Sequence, residues 1–499
     1  MATSRGGSNL HWRNSNPATD SIRGGSAQRG IRGGRGSRGG RGGRGGGNAS
    51  TPKRDPPPEP DIVAHPLGEL LQTIRISDLS LEAIKTSKPT DITDLKYVAS
   101  YNWMEGDAPT IMIPGKPPAW TPLKQPLRLK EDAGTYFRDP NGAQYPRYPA
   151  EPAVQAILNS NPTFPTSEID IFACGSTMGN LLRFVRASSK AFRFSVEVVG
   201  KTVFFVRKEN SPKEVIENIH GFGHSFPEAY TTWEEDTKGS SSHQRIVQYN
   251  FGGLVCVMRF ECDGYLRDGT NQVDQKLSSS ATSDENDNII VQALKNTSVS
   301  HVFSTTDESL SIKTGGNEVH QQSIFDLKTR SGKYKRDIDM SDFLPVLWLK
   351  QIPNFIIAYH DGAGLFRDIR VQDIRNDLRV WGQEHKDDIQ QLAVLLNKIT
   401  KIATEDTRGL LEVYCAGHDL EVRRQHGDGV HSLPHSLRAE WEGMSDEAEE
   451  SDDSLGATNG HGRSNFSYGD EDENDSSDED KDFTACSADT CGYCGTCSY

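Results

Sequence analysis

The chain has 499 residues, of which 34% are hydrophobic and 47 are glycine, with a formal net charge of −15. Glycine crowds the start, so one ordered unit of about 350 residues between low-complexity ends suits this composition better than two or three full domains. No run of ~18 apolar residues is present, and the opening Met-Ala-Thr-Ser-Arg-Gly-Gly lacks the apolar stretch of a secretory signal. Membrane-spanning and secreted classes are therefore excluded, and an intracellular protein, nuclear in preference to cytoplasmic, is expected. Cys174, Cys256, Cys262 and Cys415 are scattered through the body, as buried thiols in a reducing compartment would be.

Residues 1–60 read as a disordered basic arm. Arg-Gly-Gly occurs six times, at Arg5, Arg23, Arg32, Arg38, Arg41 and Arg44, and residues 1–54 carry eleven Lys or Arg against one acid. Glycine-spaced guanidinium groups form a flexible polycation that contacts phosphates and stacks on unpaired bases. Arg23, Arg32, Arg38, Arg41 and Arg44 are thus candidates for RNA binding. A solubilising tail, or arginine methylation without RNA contact, is the plainer alternative. Residues 56–60, Pro-Pro-Pro-Glu-Pro, make a stiff spacer.

A single core is expected over 61–438. Residues 91–98 and 110–113 read as strands, 154–158 as a short helix, and 169–174 as a strand that leads into a helix at 178–185. Residues 192–198 and 201–206 alternate and join at Val199-Gly200 as a hairpin. Residues 214–219 are expected to be helical, and 245–251 with 254–265 form a second hairpin across Gly252-Gly253. The Ser- and Asp-rich 277–288 reads as a disordered insertion and 305–317 as a polar loop or hairpin. A strand at 324–328, a helix at 343–349 and a buried strand at 355–359 follow. Ile389, Leu392, Ala393, Leu396, Ile399 and Ala403 make a helical stripe over 386–403. The last strands are 410–414 and 420–423.

Two phrases carry the chemistry, Val257-Met258-Arg259-Phe260-Glu261-Cys262-Asp263-Gly264-Tyr265 and Ser323-Ile324-Phe325-Asp326-Leu327-Lys328-Thr329-Arg330. Residues two apart on a strand share a face, so Glu261 with Asp263, and Asp326 with Lys328, are expected to point into one space. Three carboxylates and one ammonium are expensive to bury unless a hard cation such as Mg²⁺ or Mn²⁺ sits among the oxygens. The lysine would then hold or polarise a water whose pKa the metal lowers. A solvated strand end for the first pair and a plain salt bridge for the second are the simpler alternatives.

Glu-x-Asp followed by acidic-x-Lys resembles the PD-(D/E)XK nuclease superfamily, and its surroundings resemble the DXO-like decapping nucleases, which act on RNA 5′ ends. Residues 352–361, Ile-Pro-Asn-Phe-Ile-Ile-Ala-Tyr-His-Asp, are similar to the strand after that family's lysine motif. Residues 221–228, Gly-Phe-Gly-His-Ser-Phe-Pro-Glu, resemble its Gly-to-Glu motif. The resemblance implies an α/β fold, a mixed β-sheet core flanked by helices. It also implies RNA as partner and a metal set of Glu228, Glu261, Asp263 and Asp326 with Lys328 for the water. Glu228 read by itself is equally a helix-start acid. Three departures stand out. Asp326 replaces the family's usual Glu, residues 172–179 lack its arginine (for which Arg183 or Arg186 would have to substitute), and no glutamine stands near Val346. Two functions follow: a metal-dependent nuclease or phosphohydrolase acting at RNA 5′ ends, or a catalytically weak scaffold that binds RNA or protein. Similar fungal sequences are labelled geranylgeranyl diphosphate synthases. That chemistry needs two Asp-Asp-x-x-Asp motifs in an all-helical protein, and the nearest approach here is Asp387-Asp388-Ile389-Gln390-Gln391.

Residues 440–483 hold seventeen Asp or Glu against two Lys or Arg, an acidic tail with Ser445, Ser451 and Ser476 in contexts suited to acid-directed kinases. Cys486, Cys491, Cys494 and Cys497 have spacings that would serve Zn²⁺, although they crowd into a short span. Redox-active or modified cysteines are the other reading.

Overall fold

Runs of Val, Ile, Phe and Tyr broken by glycine turns build two β-sheets. The computed structural model describes residues 58–79, 90–187, 190–216, 219–267, 309–332 and 337–443. The Arg-Gly-Gly repeats, the 277–288 insertion, the acidic tail beyond Gly443 and the four terminal cysteines lie outside the described residues.

The larger sheet has eleven strands, in the order Leu70–Ile74, Leu420–Arg424, Leu410–Cys415, Phe192–Val199, Thr202–Arg207, Ile171–Cys174, Leu254–Glu261, Ser240–Phe251, Thr93–Met104, Thr110–Gly115 and Ser311–Gly316. The smaller has six, in the order Phe366–Asp373, Asn354–His360, Ile324–Ser331, Gly264–Tyr265, Ala119–Trp120 and Thr231–Thr232. Both are mixed. Leu254–Glu261 runs parallel to Ile171–Cys174 and antiparallel to Ser240–Phe251. Ile324–Ser331 runs parallel to Asn354–His360, which is antiparallel to Phe366–Asp373.

Helices Gly175–Val185, Leu344–Lys350 and Lys386–Glu405 share one buried cluster with side chains of both sheets, among them Met258, Ile324 and Phe355. Helices Glu151–Ser160 and His435–Glu442 cover the other face of the larger sheet, where Trp441 meets Phe172 and Phe204. The short helix Ser225–Tyr230 packs Phe226 and Tyr230 onto the smaller sheet beside Phe366. This mixed α/β architecture is the fold class expected, and it excludes the all-helical layout of a prenyl diphosphate synthase.

Several local expectations change. Residues 214–216 are not helical: Val215 bridges Phe137, and Ile216 donates its N–H to the Tyr136 carbonyl, so the pairing takes the backbone groups a helix would use. Ser311–Gly316, expected as loop or hairpin, is an edge strand parallel to Thr110–Gly115, with its first four residues exposed. Phe366–Asp373 is a largely polar edge strand without a period-2 apolar signal. The helix at the end of the described chain reaches Glu442, past the boundary at 438, because Trp441 is buried and its indole N–H donates to Thr202 Oγ1 at 3.0 Å.

The chain changes sheets at Cys262-Asp263. Leu254–Glu261 ends in the larger sheet, and Gly264 and Tyr265 pair with Phe325 and Ile324 of the smaller one. Only glycine fits the step: a Cβ on Gly264 would lie 2.4 Å from the Phe325 ring and 2.8 Å from the Pro118 carbonyl oxygen.

Candidate functional site

This crossing places the acids. Glu261 is the last residue of its strand and Asp263 sits in the step between sheets, both half-buried. Asp326 lies on the neighbouring strand and is 1% exposed. Asp263 Oδ2 accepts the Leu327 N–H at 2.7 Å, and Asp326 Oδ1 accepts the same N–H at 3.0 Å. The two carboxyls thus converge on one amide. Burial first, then the charge of Asp326, its hydrogen bond and the charge of Glu261 push Asp263 well above the usual carboxylate range, with Lys350 opposing. Burial also raises Glu261, against the pull of Lys350 and Arg259.

An ammonium beside these acids comes from Lys350. Its Nζ lies 3.3 Å from Asp326 Oδ2, with side chains only 4% and 2% exposed. Lys328, two residues from Asp326 on the same strand, is 3% exposed and acts on His224, which burial and that charge together depress to about 3. Glu228 stands in this second group. Asp132 accepts the N–H groups of His224 at 3.0 Å and Ser225 at 2.8 Å, and Tyr136 stacks on His224 with centroids 3.6 Å apart. Crowding of its carboxyl and the Asp132 charge lift Glu228 to about 7, although the residue as a whole is exposed. Of the expected set, Glu261, Asp263 and Asp326 are brought together, the charge of Lys328 is felt by His224, and that of Asp132 by Glu228.

A small cleft opens beside the first group, lined by Asp139, Cys174, Gly175, Gln244, Arg259, Glu261, Asp263 and Lys350 among others. Arg207 also reaches it. Arg259 comes from the strand beside Cys174, and its Nη1 is buried without a hydrogen-bond partner. Burial pushes the Cys174 thiol up, but the Arg259 guanidinium and the hydroxyls of Ser176 and Thr177, each 3.1 Å away, outweigh it and leave the thiol below its ordinary value. Neither candidate for the missing family arginine lines the cleft. Arg183 bonds Asn180 on its own helix, and Arg186 faces Asp388 at 3.6 Å and the Trp381 ring.

In chemistry, Glu261, Asp263 and Asp326 suit a hard divalent ion. In arrangement, their inward oxygens are engaged by the Leu327 N–H and the Lys350 ammonium, and among the described residues no three of His, Cys, Asp and Glu are placed to hold an ion. Lys350 and Arg259 were not singled out from the sequence. The available signal was a charge inside an apolar run, Val-Leu-Trp-Leu-Lys-Gln-Ile for Lys350 and Val-Cys-Val-Met-Arg-Phe for Arg259.

The family profile described as "Domain of unknown function (DUF8563)" matches residues 72–419. No curated protein matches the chain in sequence. Among solved structures the chain is similar to Rai1 of S. pombe in complex with 3′-FADP, at 11% identity and TM-score 0.43, over 71% of this chain and 99% of that one. It is similar to Rai1 of Candida albicans in complex with pU5-Mn²⁺, at 8% identity and TM-score 0.46, over 75% and 99%. It is also similar to Dxo1 of K. lactis in complex with manganese, at 10% identity and TM-score 0.38, over 74% and 99%.

Proposed function

Taking as premise that the chain belongs to the family described as "Domain of unknown function (DUF8563)", we propose that it is an RNA-binding protein that uses a nuclease-type α/β fold as a scaffold, with weak or no hydrolysis. The observation that carries this reading is the Lys350 ammonium 3.3 Å from Asp326 Oδ2, a charge supplied by the chain itself at the acids where a metal ion would sit. RNA is favoured as ligand by the six Arg-Gly-Gly repeats and by the cleft, where the unpartnered Nη1 of Arg259 offers a donor to a phosphate.

The second reading is a metal-dependent phosphohydrolase acting at RNA 5′ ends. It is favoured by one observation, the crowding of Glu261, Asp263 and Asp326 that holds Asp263 high. Under it, those three acids would hold Mg²⁺ or Mn²⁺, which neutralises phosphate charge and acidifies a water when bound. Arg259 would orient the phosphate.

Both readings meet in one experiment. The full chain is incubated with single-stranded RNA bearing a 5′ monophosphate, a 5′ triphosphate or a cap, in MnCl₂, while binding and product are followed together. Salt-sensitive binding without turnover is expected. Repeated turnover would replace the scaffold reading with the hydrolase, and absence of binding would remove RNA from both.

A further inference from the structure

We propose that Lys350 is the resident cation of the acid cluster. Its ammonium stands in for a divalent ion, and the cluster takes up Mn²⁺ or Mg²⁺ only once that ammonium is gone. This rests on the scaffold reading and supplies a cause for it.

The path of the side chain is built. Lys350 ends the helix Leu344–Lys350, where Gln351 takes the left-handed conformation at φ 53° and stops the helix. A cation in a last helical turn faces the unsatisfied carbonyls and is favoured there. The aliphatic stem then crosses Gly175, the first residue of the neighbouring helix Gly175–Val185. A Cβ at that glycine would stand 3.3 Å from Lys350 Cε and 3.5 Å from Phe260 Cβ. The ammonium passes 5.8 Å from the centre of the Phe260 ring and ends 3.3 Å from Asp326 Oδ2. Gly175 and Phe260 thus leave a channel shaped for a lysine stem.

The charges agree with the path. Glu261, Asp263 and Asp326 share the space, and Asp139 adds its charge to that of Asp326 in raising Glu261. Lys350 lowers both Glu261 and Asp263. A lysine is rarely buried unless its charge is paired, since the desolvation cost exceeds what an isolated ammonium recovers. Three of the cluster's oxygens already have partners: Asp263 Oδ2 and Asp326 Oδ1 on the Leu327 N–H, Asp326 Oδ2 on Lys350. A divalent ion bound to Asp326 Oδ2 would have to displace that ammonium.

The test uses the full chain, Lys350→Met and Lys350→Gln, with MnCl₂ alone as probe. Bound Mn²⁺ is read from loss of the free-ion paramagnetic signal, and folding from the thermal melt. The wild type is expected to leave Mn²⁺ free and its melt unmoved. Both variants are expected to bind Mn²⁺ at least about tenfold more tightly, as loss of one neighbouring positive charge requires, with a raised melt. Wild type binding Mn²⁺ as tightly as the variants would overturn the proposal. If neither variant melts cooperatively alone, refolding with MnCl₂ decides: recovery supports the proposal and no recovery overturns it. RNA binding by the wild type is scored separately. Its loss would remove the scaffold reading while a Mn²⁺ gain in the variants left this inference standing.

Discussion

Asp263→Asn tests the electrostatics of the cluster without altering its shape. Because burial, Asp326 and Glu261 hold Asp263 above the ordinary carboxylate range, the folded chain binds more protons there than the unfolded chain. Stability from this group is then full below the unfolded carboxyl's titration near pH 4 and is lost as pH rises toward the folded value. One proton sets the slope at about 1.4 kcal/mol per pH unit at most, so two units above the start of that window account for about 2–3 kcal/mol. Asparagine carries no proton to lose. Its Oδ1 still accepts the Leu327 N–H that Asp263 accepts at 2.7 Å. Its amide donates toward Asp326 at every pH, replacing a hydrogen bond of about 1 kcal/mol that Asp263 makes only while protonated. Urea unfolding of both chains in metal-free buffer, followed by tryptophan fluorescence, measures the difference directly. The asparagine chain should be the more stable, and its advantage should widen as pH rises. A flat difference, or a less stable asparagine chain at the upper pH, would show that Asp263 is satisfied as a carboxylate and that the cluster is not overcrowded with charge.

Asp326→Asn and Lys350→Met should be coupled through their contact at 3.3 Å, the double variant losing about 0.5–3 kcal/mol less than the two single losses together; independent losses in the double-mutant cycle would mean the pair is not coupled. Gly175→Ala should destabilise the wild type by less than about 1 kcal/mol, the gain in helix preference partly offsetting the squeeze on Lys350. In the Lys350→Met chain the same change should stabilise, and equal losses in both backgrounds would remove the channel argument. Deleting residues 1–54 should flatten the salt dependence of RNA binding, whose slope is about −0.7 per phosphate neutralised; an unchanged slope means the arm touches something else. Replacing Cys486, Cys491, Cys494 and Cys497 with serine should leave the melt unchanged, and a large drop would show that this end docks on the core.

Where periodicity was strong the elements were legible. The stripe of Ile389, Leu392, Ala393, Leu396, Ile399 and Ala403 is the buried face of Lys386–Glu405. The alternation around Val199-Gly200 is the hairpin of Phe192–Val199 and Thr202–Arg207, with Gly200 at φ 60°. Edge strands escaped notice because they bury little: Ser311–Gly316 and Phe366–Asp373 are held by backbone pairing with Thr110–Gly115 and Asn354–His360, and polar side chains carry no trace of that. At the site, spacing by two put Asp326 and Lys328 on one strand without saying what each would meet. The charge of Lys328 reaches His224, on a segment distant in sequence. Nor does Glu-x-Asp disclose that the chain leaves one sheet between its two acids, so that Asp263 joins Asp326 through the Leu327 N–H rather than through a shared strand face.

The same limit explains why Lys350 decides the chemistry while remaining inconspicuous. A carboxylate cluster is compatible with two neutralising partners, a divalent ion from solution or an ammonium from the chain. The acids look alike in either case. The difference lies in whether a lysine elsewhere has a channel to reach them, and that depends on the size of residues it passes. Here the passage is set by Gly175, which has no side chain to obstruct the stem, and by Phe260, whose ring flanks it. An internal ammonium also arrives without the entropic loss of capturing an ion. It keeps a fixed position, though, and a single charge cannot offset three carboxylates. Asp263 is accordingly left raised even with Lys350 in place. On the cleft side the cluster is flanked by Arg259, which holds a buried, unpartnered nitrogen. A phosphate reaching that nitrogen enters a cleft that Glu261 and Asp263 also line. If the cleft binds RNA as proposed, the raised Asp263 predicts that phosphate affinity there falls as pH rises, which binding measured across pH in metal-free buffer checks.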